Sequence, residues 1–180
     1  MSDAMYAGPA GAGGAAAWLA AADDLAAGYA EGDALAIFGA VDALAHAALG
    51  HALCTVNRYD AAGMRVVRVY SSNPAAYPPG GSKEKRGTSW GRHVLLEKRI
   101  FIGEGVGAIA QAFDDHAAIA ALGLRSVINV PVVWQGICLG TVNFLMTAER
   151  VAPAQVGAAR LAALHAVAAF GLLAGQSGRP

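Results

Sequence analysis

The spacing of apolar residues changes at Gly50 from a helical period to a strand period, and this change constrains the fold more than any other feature. Before it, large apolar residues recur every three or four positions, and after it apolar and polar residues alternate. We therefore predict helices over residues 17–30 and 34–49, followed by a hairpin of strands 51–59 and 64–70. A chain that begins in this way has an antiparallel sheet with helices packed against it.

The second half of the sequence predicts another hairpin and a long final helix. Strands over residues 126–134 and 137–146 are joined by a tight turn at Gln135 and Gly136, and Pro153 begins a helix that runs to about residue 174. Between the hairpins we predict a short helix over 89–97 capped by Thr88 or Ser89, a strand over 99–102, and a helix over 116–122 capped by Asp114 or Asp115. The fold class is α+β, with a five- to six-stranded antiparallel sheet.

A chain of 180 residues is long enough for one domain with a substantial core. Residues 7–16, AGPAGAGGAA, contain only small residues and proline, so we predict a flexible leader over 1–16. The single domain then spans 17–175, with its core over 33–173, and residues 176–180 form a tail.

The charge of the chain argues against several classes of partner. A formal net charge of zero argues against a basic face that binds nucleic acid. A secretory signal would begin with basic residues, and residues 1–22 contain none. Arg160 and His165 interrupt the apolar C-terminal run, so we predict a helix of a globular domain rather than a membrane span. The expected location is the cytoplasm. A composition that is 56% hydrophobic and 14% charged predicts self-association.

Residues 125–143, RSVINVPVVWQGICLGTVN, resemble the most recognisable stretch of GAF domains: a serine opens a strand, Val-Pro follows, and a G-x-x-[LI]-G hairpin returns. The order of elements from about Asp33 to Leu173 is also similar to that family. The resemblance implies N- and C-terminal helices on one face of the sheet, through which such domains dimerise. It implies on the other face a pocket, formed by loops and short helices, for cyclic nucleotides, tetrapyrroles, amino acids, haem or other small effectors.

Residues 71–88 form a long segment rich in proline, glycine and charge, with Tyr77 inside it and Trp90 just beyond. A loop of this length in a compact domain is usually functional or disordered, and the aromatic residues favour a folded lid over the pocket. The candidate ligand-binding residues are Tyr70, Ser71, Tyr77, Trp90, Arg92, His93, Ser126, Asn129 and Asn143.

Among the cations near this lid, Arg92 is the favoured contact for an anionic ligand, because a helix start and Trp90 hold it in place. Lys83 and Lys85 flank Glu84, a pattern more typical of a solvated tip. Trp90 and His93 fall on one helical face, which suits stacking and hydrogen bonding to a ring. Trp90 as an ordinary core residue remains the alternative.

A two-residue turn in the second hairpin places Ser126, Ile128 and Asn143 on one face of the sheet and Asn129 on the other. Pro131 lacks an N–H and can bulge the strand, which would change this parity. An asparagine buried among valines is either satisfied by the backbone or available to a ligand.

No motif in the sequence announces an enzyme or specifies a cofactor or a metal. Gly103–Ala108 fits G-x-G-x-x-A without the parallel βαβ setting of a dinucleotide site. The five histidines show no ligand spacing on a common face except His46 and His51, which straddle a helix end, so no metal site is expected. One GAF branch resembles free methionine-(R)-sulfoxide reductases, but that chemistry needs paired thiols, and Cys54 and Cys138 are expected to be reduced thiols inside strands. A third interpretation is a structural dimerisation module without a ligand.

Overall fold

A six-stranded antiparallel sheet lies at the centre of the computed structural model, which describes residues 12–177. The strands are β1 (Leu53–Asp60), β2 (Arg65–Ser71), β3 (Ser82–Glu84), β4 (Phe101–Glu104), β5 (Ser126–Trp134) and β6 (Ile137–Met146). Their order in the sheet is β3-β2-β1-β6-β5-β4. The two predicted hairpins, β1–β2 and β5–β6, therefore lie side by side through the pairing of β1 with β6.

Six α-helices and one π-helical turn accompany the sheet in the described part of the chain. They are α1 (Ala12–Glu31), α2 (Ala34–Leu49), the π-helix Gly91–Leu96, α3 (Gly105–Ala112), α4 (His116–Ala121), α5 (Pro153–Leu164) and α6 (Ala166–Ser177). The predicted fold class is confirmed: the protein is α+β with an antiparallel sheet.

Helices α2, α5 and α6 cover one face of the sheet, which we call the helix face. Its core includes Phe38, Phe144 and Phe170, all buried, together with many alanines that let the helices approach closely. Asp33 caps α2 as predicted, since its carboxylate accepts hydrogen bonds from the backbone N–H groups of Leu35 and Ala36 at 2.9 and 3.1 Å.

The predicted final helix is divided in two at His165, whose backbone carbonyl accepts a hydrogen bond of 3.0 Å from the Tyr29 hydroxyl of α1. By length and composition alone, Pro153–Gly175 is apolar enough to cross a membrane, with mean hydropathy 1.7. Some of its residues, among them Ala159, Ala166 and Phe170, are buried in the helix-face core, and 33% of its most apolar 18-residue window is buried.

At the N-terminus the structure differs from the predicted leader over 1–16. Helix α1 begins at Ala12, because the alanines of this stretch are good helix formers that continue the helix outward. The rest of the leader, 1–11, and the end of the predicted tail, 178–180, lie outside the described residues.

The register of β5 and β6 shifts by one residue between Val132 and Val133, which is a β-bulge. Beyond it Asn129 pairs directly with Asn143, so both amides lie on the same face of the sheet. A two-residue turn without a bulge predicted Asn129 and Asn143 on opposite faces of the sheet, and that prediction is wrong. Ile128 lies on the helix face instead.

Candidate functional site

A cavity of about 70 Å³ lies on the face of the sheet opposite the helices. It is enclosed by β1, β2, β5 and β6, by residues 71–88, which we call the cap, and by the chain around α4. Its walls are formed by Leu53, Thr55, Asn57, Val66, Arg68, Tyr77, Gly81, Lys83, Lys85, Trp90, Phe113, Asp115, Ile119, Val127, Asn129, Asn143 and Leu145. The walls therefore combine aromatic rings, amides and charged groups.

Backbone hydrogen bonds hold the cap against the sheet. The N–H of Arg68 donates to the carbonyl of Gly81, and the N–H of Gly80 donates to the carbonyl of Arg68, both at 2.8 Å. The cap then enters β3, which pairs with β2 in antiparallel register. Tyr77 projects from the cap and is buried. The segment predicted as a folded lid is thus ordered, and it contributes an edge strand that the sequence did not predict.

A ladder of side-chain hydrogen bonds crosses the floor of the cavity. The indole Nε1–H of Trp90 donates to Asn129 Oδ1 at 2.9 Å, and Asn129 Nδ2 donates to Asn143 Oδ1 at 2.8 Å. Asn143 Nδ2 then donates to the backbone carbonyl and the hydroxyl of Thr55, at 3.1 and 3.2 Å. Each amide is held in one orientation by its neighbour, so the polar floor is preorganised.

Lys85 is buried, with 4% of its surface exposed, and its ammonium group lies 5.1 Å from the centre of the Trp90 ring. The hydroxyl of Thr88 fixes the backbone here: it donates to the Lys85 carbonyl at 2.8 Å and accepts from the N–H of Gly91 at 3.0 Å. A side chain at Gly91 would overlap that carbonyl, which explains the glycine. Burial and the neighbouring Lys83 charge lower the pKa of Lys85.

Arg68 and Tyr77 form a second contact across the cavity. The guanidinium carbon of Arg68 lies 4.8 Å from the centre of the Tyr77 ring, and Nη1 donates to the carbonyl of Pro78 at 3.1 Å. Arg68 Nε and the Tyr77 hydroxyl have no hydrogen-bond partner of good geometry within residues 12–177. Burial lowers the pKa of Arg68, and burial together with the nearby Asp115 carboxylate raises the pKa of Tyr77 to about 12.

Asp115 pairs with Lys83 at 2.6 Å, between its carboxylate and the lysine Nζ. Burial alone would raise the pKa of Asp115, but the hydrogen bond and charge of Lys83 outweigh it and the pKa is lowered. Of the two predicted cap positions, Asp114 and Asp115, Asp115 is the N-cap residue of α4, but its side chain makes no hydrogen bond to the start of the helix. The Asp115 carboxylate instead forms part of the cavity wall, where it pairs with Lys83.

The structure brings four of the nine candidate residues together at the cavity: Tyr77, Trp90, Asn129 and Asn143. Three others lie elsewhere on the sheet. Tyr70 faces the helices and donates to Asp42 at 2.8 Å, because a bulge between Val56 and Asn57 shifts the register of β1 and β2. Ser71 Oγ accepts from the backbone of Asn73 at 3.2 Å, and Ser126 Oγ donates to the carbonyl of Ala148 at 2.7 Å.

Arg92 and His93 lie outside the cavity, in a surface groove on the far side of Trp90. The Arg92 side chain is 79% exposed, and His93 Nε2 bonds the carbonyl of Ile100 at 3.0 Å. The predicted α-helical face is wrong because this turn is a π-helix, which rotates residues three positions apart further from each other than an α-helix does. Trp90 therefore points inward and His93 points outward.

Sequence reasoning missed the charged walls of the cavity, and above all Arg68 and Lys85. The alternation of a strand is the signal that would have found the cap lysines. In β3 and its extension, Lys83 and Lys85 share one face and Glu84 takes the other. Both lysines therefore turn toward the cavity, whereas the sequence pattern suggested a solvated tip.

A second polar cluster lies on the helix face. Ligand atoms of Asp42, His51 and Cys54 lie within 4.8 Å of one another, a donor set that suits zinc. The Asp42 carboxylate is already engaged, by His51 Nε2 at 2.6 Å and by the Tyr70 hydroxyl. Burial raises the pKa of the Cys54 thiol well above its ordinary value. These contacts tie α2 to β1 and β2.

The two cysteines do not form a reactive pair. Cys54 lies in the helix-face core opposite Phe144, and Cys138 is six residues further along β6, about 20 Å away at a strand rise of about 3.3 Å per residue. Burial raises the pKa of Cys138 to about 11, and neither thiol lines the cavity. The geometry gives no support to a thiol reductase mechanism at this site.

No protein-family model and no curated protein sequence matches this chain. Solved structures match in fold. The GAF domain of a phosphoenolpyruvate-protein phosphotransferase from Coxiella burnetii superposes with a TM-score of 0.68 at 13% identity, covering 92% of this chain and 99% of that domain. A methyl-accepting chemotaxis protein, residues 122–287, gives 0.63 at 18% identity, covering 90% and 99%.

The GAF domain of a two-component sensor histidine kinase from Bacillus halodurans gives a TM-score of 0.57 at 10% identity, covering 72% of this chain and 86% of that one. Sequence identities this low show similarity of fold alone. The solved structures that share the fold include sensory and signalling proteins. Together with the sheet order, they show that this chain folds as a GAF domain.

Proposed function

We propose that this chain is a sensory domain that binds a small molecule in the cavity, with the cap closed over it. One observation carries the proposal: the cap and the sheet enclose a cavity whose walls hold polar atoms that the protein itself does not satisfy. Within residues 12–177, Arg68 Nε is buried there without a hydrogen-bond partner. Tyr77 Oη is buried beside the Asp115 carboxylate, which interacts with it without reaching good hydrogen-bond geometry.

Unpartnered polar groups distinguish this cavity from a packing gap. A buried donor or acceptor without a partner costs about 1–3 kcal/mol, so proteins rarely leave several around one space. A ligand that supplies the missing partners recovers this free energy. A gap of the same size lined by leucine or valine would offer a ligand only dispersion contacts.

The amide ladder has spare capacity for a ligand. An asparagine amide carries two N–H donors, and Asn129 uses one of them for Asn143. The Thr55 hydroxyl accepts from Asn143 and keeps its own proton to donate. Because Trp90 fixes the orientation of Asn129, these groups face the cavity without first having to be ordered, which favours binding.

The proposed partners are a small-molecule effector and a second copy of the chain, in the cytoplasm, rather than nucleic acid or a membrane. The formal net charge of zero supports the exclusion of nucleic acid. Large apolar side chains are exposed on α1 and α5, namely Trp18, Leu19, Leu161 and Leu164, and these support a homodimer through the terminal helices. Leu19→Glu with Leu164→Glu should give a monomer by light scattering while the cavity remains intact.

The test of ligand binding is native mass spectrometry of the protein as purified, combined with a thermal-shift screen of nucleotides, amino acids and aromatic acids. We expect a retained mass, or a compound that stabilises the folded state by about 2.7 kcal/mol at a hundredfold excess over its Kd. A chain that carries nothing and is stabilised by nothing would be a structural dimerisation module instead.

Tyr77→Phe sharpens this test. It removes a buried hydroxyl that has no well-placed partner, so the ligand-free protein should be as stable as the wild type or up to about 1–3 kcal/mol more stable, while the stabilisation by a bound compound is reduced. Tyr59→Phe is the control, because the Tyr59 hydroxyl contacts Met64 and lies outside the cavity. Equal effects of the two variants on binding would place the ligand somewhere else.

A further inference from the structure

The charges on the cavity walls are unequal. Three cationic side chains, Arg68, Lys83 and Lys85, face the cavity, with Asp115 as the one carboxylate among its lining residues. Asp115 is engaged by Lys83 at 2.6 Å. Within residues 12–177, Arg68 and Lys85 therefore have no carboxylate at salt-bridge distance, although the charge of Asp115 acts on both.

Lys85 is the more unusual of the two. Its side chain is almost fully buried, and within residues 12–177 no carboxylate lies at salt-bridge distance from its ammonium group. The face of the Trp90 ring lies 5.1 Å from this group, and the charges of Asp114 and Asp115 act on it from beyond salt-bridge distance. A lysine is rarely buried unless it is paired, because removing an ammonium group from water costs several kcal/mol. Among the described residues, Lys85 therefore has no directly bonded anion.

Arg68 supports the same conclusion from the opposite wall. One arm of its guanidinium donates to Pro78, but the buried Nε has no partner among the described residues. Guanidinium groups present parallel N–H donors that match the two oxygens of a carboxylate or phosphate. The unpartnered edge of Arg68 is a donor for which this part of the protein supplies no acceptor.

We propose that the ligand of this cavity is a small organic oxyanion, a carboxylate or a phosphate ester, whose charged end binds between Lys85 and Arg68. Its body lies against Trp90, Tyr77 and Phe113. This inference rests on the function proposed above and specifies its ligand class. The amides of Asn129 and Asn143 then form hydrogen bonds with a polar group elsewhere on the ligand.

The test compares carboxylates with neutral amides of matched shape, and adds a small and a large phosphate as a second class of anion. Acetate and acetamide, benzoate and benzamide, and inorganic phosphate and phenyl phosphate are titrated against the full chain by calorimetry and thermal shift, with chloride balancing the ionic strength. We expect at least one carboxylate or phosphate to bind, with the neutral amides weaker by about tenfold or more. The carboxylate and phosphate arms show which oxyanion is preferred.

Lys85→Met keeps the length of the side chain and removes its charge. It should weaken oxyanion binding by about tenfold or more, and it should leave the ligand-free protein as stable as the wild type or more stable, because an unpaired buried charge is lost. Arg92→Gln is the control, since that side chain is exposed and outside the cavity. A structural role for Lys85 predicts the opposite pattern: a destabilised variant with unchanged binding.

Three outcomes would overturn the inference. If neutral amides bind as well as their acids, or Lys85→Met binds the oxyanions as the wild type does, the ligand class is wrong while a ligand-binding cavity stands. If no oxyanion of the panel stabilises the wild type beyond chloride, the inference also fails. Native mass spectrometry of the same preparation then tests the proposed binding function separately, because a small molecule that remains bound to the protein would support that function.

Discussion

The two faces of one sheet are built on different principles. The helix face is filled by alanine, valine and phenylalanine, and the carboxylate it contains, Asp42, has two hydrogen-bond partners. One buried atom on that face, His51 Nδ1, lacks a partner among the described residues. The cap face keeps a cavity of about 70 Å³ and leaves Lys85, Arg68 and Tyr77 short of partners. The same strands supply both faces, since in β1 the side chain of Cys54 enters the helix-face core while that of Thr55 lines the cavity.

This difference separates stability from recognition. Close packing on the helix face gives the free energy that allows the cap face to retain unsatisfied groups. Substitutions on the helix face should therefore lower the free energy of unfolding strongly, and substitutions on the cap face should lower it weakly while they change binding. Four measurements can break or sharpen this comparison.

The largest effect is expected from Phe144→Ala. Phe144 is fully buried in the helix-face core, so its loss should lower the free energy of unfolding by about 3–5 kcal/mol. The matched change on the cap face is Phe113→Ala, which should cost about half as much or less, because Phe113 is only partly buried and borders a cavity. Chemical denaturation of both variants measures the two costs. A larger loss for Phe113→Ala would reverse the roles assigned to the faces.

Gly140→Ala should cost about 1–3 kcal/mol, because a methyl group there would overlap the Asn57 carbonyl and the Phe170 ring on the helix face. Gly157→Ala is the control. A methyl group at Gly157, inside α5, meets nothing within 4 Å, so this change should stabilise the protein by about 0.5–1 kcal/mol. If Gly140→Ala left the free energy of unfolding unchanged, α6 would not pack against β6 as closely as described.

Trp90→Phe should cost about 1 kcal/mol in the ligand-free protein, since it leaves Asn129 Oδ1 without its donor but keeps an aromatic ring over the cavity. Trp134→Phe, at a side chain that is 57% exposed, should change stability by less than about 0.5 kcal/mol. Thermal and denaturant unfolding measure both. If Trp90→Phe were neutral in stability and in ligand binding, the amide ladder would not depend on the indole.

The smallest effects are expected from the change of the free energy of unfolding with pH. Tyr70 on the helix face and Lys85 on the cap face contribute to that change with opposite signs. Burial and the hydrogen bond to Asp42 raise the pKa of Tyr70 above its ordinary value of 10.0. The folded state then holds the proton longer than the unfolded state, so this stabilisation is present below pH 10.0 and is lost as the pH rises through the folded pKa. Tyr70→Phe should flatten the fall of stability with alkaline pH.

Lys85 on the cap face acts in the opposite direction. Its pKa is lowered below the ordinary 10.5, so the folded state loses its proton first, and its destabilising charge is relieved as the pH rises toward 10.5. Lys85→Met should therefore steepen the alkaline fall that Tyr70→Phe flattens. Denaturant unfolding across this pH range measures both slopes, and parallel slopes for the two variants would contradict the contrast.

The sequence predicted the elements that depend on local patterns. The Asp33 cap, both hairpins and the α+β class follow from residue spacing and turn chemistry, and the structure confirms them. The division of the last helix at His165 was not predictable in this way, because it depends on a contact with Tyr29 at a distant point in the chain.

The site was only partly predictable, for two physical reasons. The bulge between Val132 and Val133 reverses the parity of every residue beyond it, so the pairing of Asn129 with Asn143 depends on a single inserted residue, Leu139 of β6. Strand alternation places Lys83 and Lys85 on one face, but the burial of Lys85 depends on β3 folding back onto β2, and this long-range pairing cannot be read from the local sequence. Sequence identified the cap and its aromatics, whereas tertiary structure decided which charges turn inward.

The most direct test of the central claim is a crystal structure of the protein as purified, or soaked with the best oxyanion of the panel. The account predicts a closed cap and a molecule in the cavity that contacts Lys85 and lies against Trp90. A structure in which apolar side chains fill that space and the Lys85 ammonium reaches bulk solvent would contradict it.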